Sequence, residues 1–216
     1  MGVGEILVTL LSGVGQIVGV RTGTEEPKFV VVEQVGPVEI RHYGPRLAAE
    51  TLVTGSSETA RNEGFRRIAG YIFGGNASRT SVAMTAPVVQ GARGRSESIA
   101  MTAPVVQSPT AGEGWAIQFI MPAKYTRETL PVPNDPRVRV VEVPAQDYAV
   151  LRFSGSRSAD MVVRKTRELD AALATGRWQA AGAPVSWFYD PPWTMPAMRR
   201  NEVAYPVSLR PVSPGK

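Results

Sequence analysis

The sequence predicts an α+β fold built from two similar halves. Three observations predict it: a strand–turn–helix–glycine pattern that occurs twice, a ten-residue phrase written twice, and β-branched runs with strand alternation around them. "RLAAETLVTGSSETARNEGFRRIAGYIFGG" and "DYAVLRFSGSRSADMVVRKTRELDAALATG" follow the same pattern, and Gly55-Ser56 and Gly155-Ser156 stand 100 residues apart. Each half has a face it cannot bury alone, so the two are expected to close on each other as one pseudo-symmetric domain over 25–207, in halves of about 25–121 and 137–207. A chain of 216 residues has room for one such core.

The first 24 residues, "MGVGEILVTLLSGVGQIVGVRTGT", are apolar from Ile6 to Val20 apart from Thr9, Ser12, Gln16 and glycines. That run is too short for a membrane span, and Glu5 stands where a secretory signal would carry a lysine. It reads as an apolar or amphipathic helix ahead of the domain. Docking on the protein's own body or a second subunit and attachment to a membrane surface both remain open. The expected location is cytoplasmic, with membrane association if the segment lies on a bilayer.

"KFVVVEQVGPVEIRHYG" reads as two strands joined at Gly36-Pro37. In the second strand Val38, Ile40 and His42 alternate with Glu39, Arg41 and Tyr43, so His42 is expected to point with the apolar side. After the strand in "RLAAETLVTGSS", Ser57 is placed to cap a helix over about 58–73, stopped by Gly74-Gly75-Asn76. Ala60, Gly64, Ile68 and Ile72 recur every fourth residue on it, with Phe65 and Ala69 alongside. "PAKYTRETLPVPNDP" reads as the crossover between halves, "VRVVEV" as the strand that opens the second, and 208–216 as a flexible tail.

The doubled phrase is "SVAMTAPVVQ" at 81–90 and "SIAMTAPVVQ" at 98–107. Each copy reads as a strand with a proline near its middle, which points to an edge or a bulge, and the spacer "GARGRSE" suits a hairpin turn. Met84 and Met101 would then take matching positions on antiparallel strands. They fill core on one reading, and on the other form a soft wall for a flat apolar ligand.

Composition limits the chemistry. With no cysteine there are no disulfides, thiolate nucleophiles, Cys-ligated metals or thioether-linked haem, and with His42 alone there is no histidine cluster for zinc. A net charge of +5 favours anionic partners, but the arginines are scattered without interleaved aromatics, which argues against nucleic acid. No nucleophile–base–orienter set is visible. Glu50, Glu63, Tyr71 and Tyr189 are the acid or base candidates if the protein is an enzyme acting on a tetrapyrrole or a small molecule, and a non-enzymatic role is the better reading.

Four stretches carry a resemblance: "EIRHYGP" at 39–45, "YIFGG" at 71–75, the doubled "AMTAPV", and "YDPPWTMPAMRRNEV" at 189–203. Over Glu25 to Val207 the chain resembles the SOUL/haem-binding protein family. The resemblance implies a distorted antiparallel β-barrel or pair of curved sheets flanked by two main helices, similar to effector-binding and gyrase-inhibitor-like domains. It also implies reversible, non-covalent binding of haem or a related tetrapyrrole in an apolar cleft beside the first helix and a loop near the C-terminus. Carried onto this sequence, the cleft would involve Phe65, Ile68, Ala69 and Ile72 on the helix and Trp193, Met195 and Met198 on the loop. Arg61, Arg66 or Arg67 would supply cations for the propionates by charge-assisted bonds. His42 matches a histidine proposed as axial iron ligand in one family member, with Met195 and Met198 as thioether alternatives. A competing reading is an apolar-ligand or protein-interaction module at a membrane surface. Arg200, Asn201 and Glu202 read as a structural polar network, because buried charges must be paired.

Overall fold

The structure, a computed structural model, describes residues 24–78 and 96–211. The N-terminal segment before Thr24, the first copy of the doubled phrase with Met84, its spacer up to Arg95, and 212–216 lie outside the described residues. In the first half, β1 (Phe29–Val35) and β2 (Val38–Tyr43) form the expected hairpin around Gly36, and β3 (Arg46–Val53) leads into α1 (Ser57–Ile72). After β4 (Asn76–Ala77) come β5 (Val105–Pro109) and β6 (Trp115–Ile120). β7 (Val132–Pro133) pairs with β4 in the crossover. The second half runs β8 (Val138–Val143), β9 (Gln146–Phe153), α2 (Ala159–Leu173), β10 (Trp178–Ala180), β11 (Val185–Phe188) and β12 (Asn201–Leu209).

Both helices start by the same device. Gly55 and Gly155 take φ of 102° and 101°, a region open to glycine at little cost, and a serine then caps each helix. Ser56 Oγ accepts from Thr59 N at 3.2 Å and Ser158 Oγ from Met161 N at 3.4 Å. The first cap is thus one residue earlier than the sequence reading placed it. Gly74, with φ of 108°, turns the chain out of α1 as expected.

The main sheet runs β1-β2-β9-β12-β11-β5-β6-β3-β8, antiparallel throughout, with β10 attached to β12. If β2, β3, β5 and β6 are exchanged with β8, β9, β11 and β12, the path from β2 to β8 maps onto its own reverse. The pseudo-twofold passes between β5 and β11. Register repeats as well: Tyr43 pairs with Gln146 and Val38 with Leu151, while Val143 pairs with Arg46 and Val138 with Thr51.

The sheet is a strongly curved surface and not a closed barrel. Gly44-Pro45 joins β2 to β3, and Pro144-Ala145 joins β8 to β9, although in each case the strands lie far apart along the sheet path. Three Cα steps reach about 11 Å at most, so the sheet must curl until its ends approach. The chain turns a corner there and β2 does not pair with β3; Pro45 and Pro144 have no N–H to offer a ladder.

One sheet face carries both helices. α1 covers Ala49, Val53, Ile117, Phe119 and Val138, and α2 covers Val38, Ile40, Leu151, Val203 and Val207. The other face curls inward around Tyr43, Trp187, Tyr189 and Ala204.

Three sequence expectations are corrected. β5 is a central strand between β11 and β6: the ladder begins at Val105, just past Pro104, so the proline is not a ladder position. The terminal strand runs past Val207 to Leu209, and Arg210 donates to the carbonyls of Leu173, Ala174 and Gly176 at the end of α2. His42 shares a face with Val38 and Ile40, as its alternation indicates, but α2 does not cover it and its side chain is 49% exposed.

Gly64 is where α1 rests on β6, since a Cβ there would stand 2.5 Å from Ile117 Cγ1. Gly64→Ala is expected to destabilise the protein by about 1–3 kcal/mol through overpacking. Gly70→Ala, on the same helix with open space around it, is expected to stabilise by about 0.5–1 kcal/mol. Denaturant titration of the two variants should give shifts of opposite sign.

Candidate functional site

A cleft of about 340 Å³ opens where α1 meets the loop after β11. Helix α1 divides its surface between core and cleft. Ala60, Gly64, Ile68 and Ile72 are buried in the core, whereas Arg61, Asn62, Phe65 and Arg66 line the cleft. These two stripes lie side by side on a helix of 3.6 residues per turn. Phe65 packs on Phe119 at 5.6 Å between ring centres, so it joins the core to the cleft floor. The facing wall is Met101 with Ala103 and Val105, and the far lip is "FYDPPW", Phe188 to Trp193.

The lip is held by backbone and buried polar contacts. Arg199 Nε donates to Thr194 O at 2.8 Å and its Nη2 to Pro192 O at 2.7 Å. Arg200 N donates to Asp190 Oδ2 at 2.6 Å. Trp193 stands 62% exposed at the rim, a large aromatic without burial.

Two arginines face the cleft around one ring. The guanidinium carbons of Arg61 and Arg157 lie 4.8 and 5.9 Å from the centre of Phe188. Arg157 Nη1 also donates to the carbonyl of Asp190 at 3.1 Å. Among the described residues, neither guanidinium forms an ion pair. Burial, and then repulsion from Arg61 and Arg199, push Arg157 down to about 10 despite attraction from Asp190 and Glu58. Burial also pulls Arg61 below the usual arginine range. A half-buried cation pair with no ion-pair partner among the described residues favours an incoming anion. Arg66 contributes less, because it is mostly exposed and already pairs with Glu63 at 2.8 Å.

Of the residues the sequence pointed to, the structure brings Arg61, Phe65, Arg66, Met101 and Trp193 together. Ile68 and Ile72 belong to the core beneath, and Ala69 does not line the cleft. Met195 and Met198 are exposed on the turn beyond the lip, where Met195 precedes a short 3-10 helix (Pro196–Met198). His42 lies away from the cleft, with Nδ1 2.6 Å from Asp147 Oδ1. Among the described residues no group of three or more His, Asp or Glu side chains could hold a metal ion.

Of the acid and base candidates, Tyr189 alone lines the cleft. Glu50 is engaged by Arg139 and Gln118, Glu63 by Arg66 and Arg67, and Tyr71 donates to Pro131 O from within the core. Arg157 was missed by the sequence reading. Its signal was available: it follows Gly155-Ser156, the counterpart of Gly55-Ser56, next to the cap of the second helix.

Behind the lip, Glu202 is fully buried on β12. It accepts from Arg41 Nη1 and Nη2 at 3.0 and 3.2 Å, from Arg200 Nε at 3.0 Å and from the Tyr189 hydroxyl at 2.7 Å. Arg200 also stacks 3.8 Å from the Tyr189 ring centre and pairs with Glu26 at 2.9 Å. Arg200 and Glu202 form the network expected from "RRNEV", extended by Arg41 from β2, while Asn201 stands outside it and donates to the Gly155 carbonyl at 3.4 Å.

A model of the SOUL heme-binding protein family matches residues 24–206. The chain therefore belongs to the SOUL heme-binding protein family. No curated protein matches it by sequence. Among solved structures it is similar to the C-terminal domain of EcmrR, at 9% identity and a TM-score of 0.57, over 80% of this chain and 98% of that one. It is also similar to a hydrolase from Listeria innocua, at 13% identity and a TM-score of 0.50, over 87% and 94% of the two chains. These likenesses establish the fold alone. Among the described residues, no helix is long and apolar enough to cross a membrane.

Two predictions follow from the buried groups. Glu202→Gln leaves Arg41 and Arg200 without their shared carboxylate; Glu39 and Glu26 remain as secondary partners, so a loss of about 3 kcal/mol, the lower end for breaking a buried pair, is expected in chemical denaturation. Burial raises the tyrosines as well: Tyr125 and Tyr205 to about 12, Tyr43 and Tyr148 upward, and Tyr189 well above its ordinary value. A phenol whose folded pKa is raised stabilises the fold fully below its unfolded value near 10, and that stability disappears as pH climbs toward 12. Native-state absorbance titration should show these five phenols ionising above pH 10, with denaturant resistance falling over the same window.

Proposed function

We propose that this protein binds haem or a related tetrapyrrole reversibly and without a covalent link, as a carrier or buffer, in the cleft between α1 and the Phe188–Trp193 lip. The observation that carries the reading is the Arg61–Arg157 pair: two partly buried cations, without ion-pair partners among the described residues, in a cleft walled by Phe65, Met101, Ala103 and Trp193. A planar pigment with carboxylate side groups needs apolar surface for its faces and fixed cations for its acids, and the cleft offers both. Family membership supports the same ligand class.

Ligand pockets span about 300–1,000 Å³, so a cleft of about 340 Å³ encloses only part of a ligand this size. Partial enclosure suits exchange over permanent retention. Binding rests on apolar contact and propionate pairing; His42, outside the cleft, is not its anchor. When bound, haem would bring its own iron chemistry, and the chain's residues supply contact and charge.

Titration with haemin at micromolar concentration is expected to produce a Soret shift and quench tryptophan emission through Trp193. Arg61→Gln and Arg157→Gln should each weaken binding about tenfold or more, the scale of a lost charge-assisted hydrogen bond. His42→Ala should leave the spectrum unchanged. Absence of both optical signals in the wild type, or wild-type affinity in the Arg61→Gln/Arg157→Gln double variant, would overturn the proposal.

A further inference from the structure

A second cavity, of about 220 Å³, lies inside the curl of the sheet on the face opposite the helices. Strands that are remote along the sheet path converge on it because the sheet curls around it. Its walls are rings: Phe29 from β1, Tyr43 from β2, Tyr148 from β9, and Trp187 and Tyr189 from β11 and the loop beyond it. Tyr43, Tyr148 and Trp187 meet edge to face, with centres 5.2 to 5.8 Å apart, so the walls are locked by their own packing.

One guanidinium enters this box. Arg46 lies with its guanidinium carbon 4.8 Å from the centre of the Tyr43 ring and donates through Nη1 to Gly44 O at 3.0 Å. Its Nε is buried with no hydrogen-bond partner among the described residues, a costly state for a cationic donor. The acids at the mouth are already engaged, Glu26 by Arg200 and Glu142 by Arg127. Among the described residues Arg46 forms no ion pair. A broader vestibule of about 790 Å³ shares Arg46, Pro27 and Glu142 with the cavity and gives it a route to solvent.

We propose that this aromatic box is a second ligand site, separate from the cleft, that takes a small planar aromatic carboxylate of one or two rings. The ring would lie in the cavity against the wall formed by Tyr43, Tyr148 and Trp187, and the carboxylate would accept from the Arg46 guanidinium, supplying the partner its Nε lacks. The size fits: a cavity of about 150 Å³ holds one benzene ring, and this one is somewhat larger. Burial holds Arg46 below the usual arginine range, and a paired carboxylate would relieve that. A tetrapyrrole is too large for the box, which separates the two sites by ligand size.

The test is calorimetric titration of the whole protein with naphthalene-2-carboxylate and with its uncharged counterpart, naphthalene-2-carboxamide. The wild type should bind the acid at least about tenfold more tightly than the amide. Arg46→Gln should abolish that preference, and Val185→Phe, which fills the box from β11, should weaken both ligands. Haemin titration of Arg46→Gln should match the wild type. The proposal is overturned if the acid does not bind at millimolar concentration, if acid and amide bind alike, or if Arg46→Gln keeps the preference for the acid. It is equally overturned if haemin displaces the acid one for one, which would make the two cavities a single site.

Discussion

The buried carboxylate of Glu202 is the constraint on which the rest of the structure depends. Taking an ionised carboxylate out of water costs several kcal/mol, which only a complete set of donors offsets. Arg41, Arg200 and the Tyr189 hydroxyl make up that set, and they come from β2, the residue just before β12 and the residue after β11. A one-residue slip of β12 would turn Glu202 onto the helix-covered face, where Val203 and Tyr205 pack against α2, with no donors to meet it. The carboxylate thus fixes register across β2, β9, β12 and β11. Its partners extend the effect outward: Arg41 stacks 4.4 Å from Phe29 and positions β1, and Arg200 reaches Glu26 near the start of the described chain.

The two halves share backbone register but not chemistry. At the β3–β8 pairing Glu50 lies opposite Arg139 and the two form an ion pair; at the equivalent β2–β9 pairing Glu39 lies opposite Val150. Glu39 instead pairs with Arg41 two residues along its own strand. Duplication supplies a backbone that closes on itself, while divergence places charge in one half and aromatic surface in the other. The cleft shows the same asymmetry: α1 presents Phe65 and Arg61 to it, while α2 presents Val163 and Arg167 to open surface.

Much of this architecture was legible in the sequence, because strand alternation, serine caps and glycine stops are local signals. The hairpin at Gly36, both helices and the two-halves construction follow from them. What local signals cannot carry is which surface is covered and by what. His42 lies on the apolar face of its strand yet stays exposed because α2 ends short of it, and Tyr43, on the side that reads as polar, is buried because the sheet curls over it. Central placement of β5 depends on pairing with β11, some eighty residues away in sequence. On α1 the every-fourth-residue pattern marked the core stripe correctly, and the family resemblance then assigned Ile68 and Ile72 to the cleft although that stripe was already committed to packing. Arg157 became recognisable once the repeated Gly-Ser turn was read as a position and not only as punctuation.

Alternation along β11 also explains how one short segment serves two cavities. Trp187 faces the inward curl, Phe188 faces the arginines of the cleft, and Tyr189 touches both spaces at the point where the strand gives way to the loop. Occupancy of one cavity could reach the other through Tyr189 only if that ring moved. Its hydroxyl is held by Glu202, and the Arg200 guanidinium covers its face. A shift of that ring would break a buried, charge-assisted bond to Glu202. The polar network that sets strand register therefore also fixes the wall that the two cavities share at Tyr189.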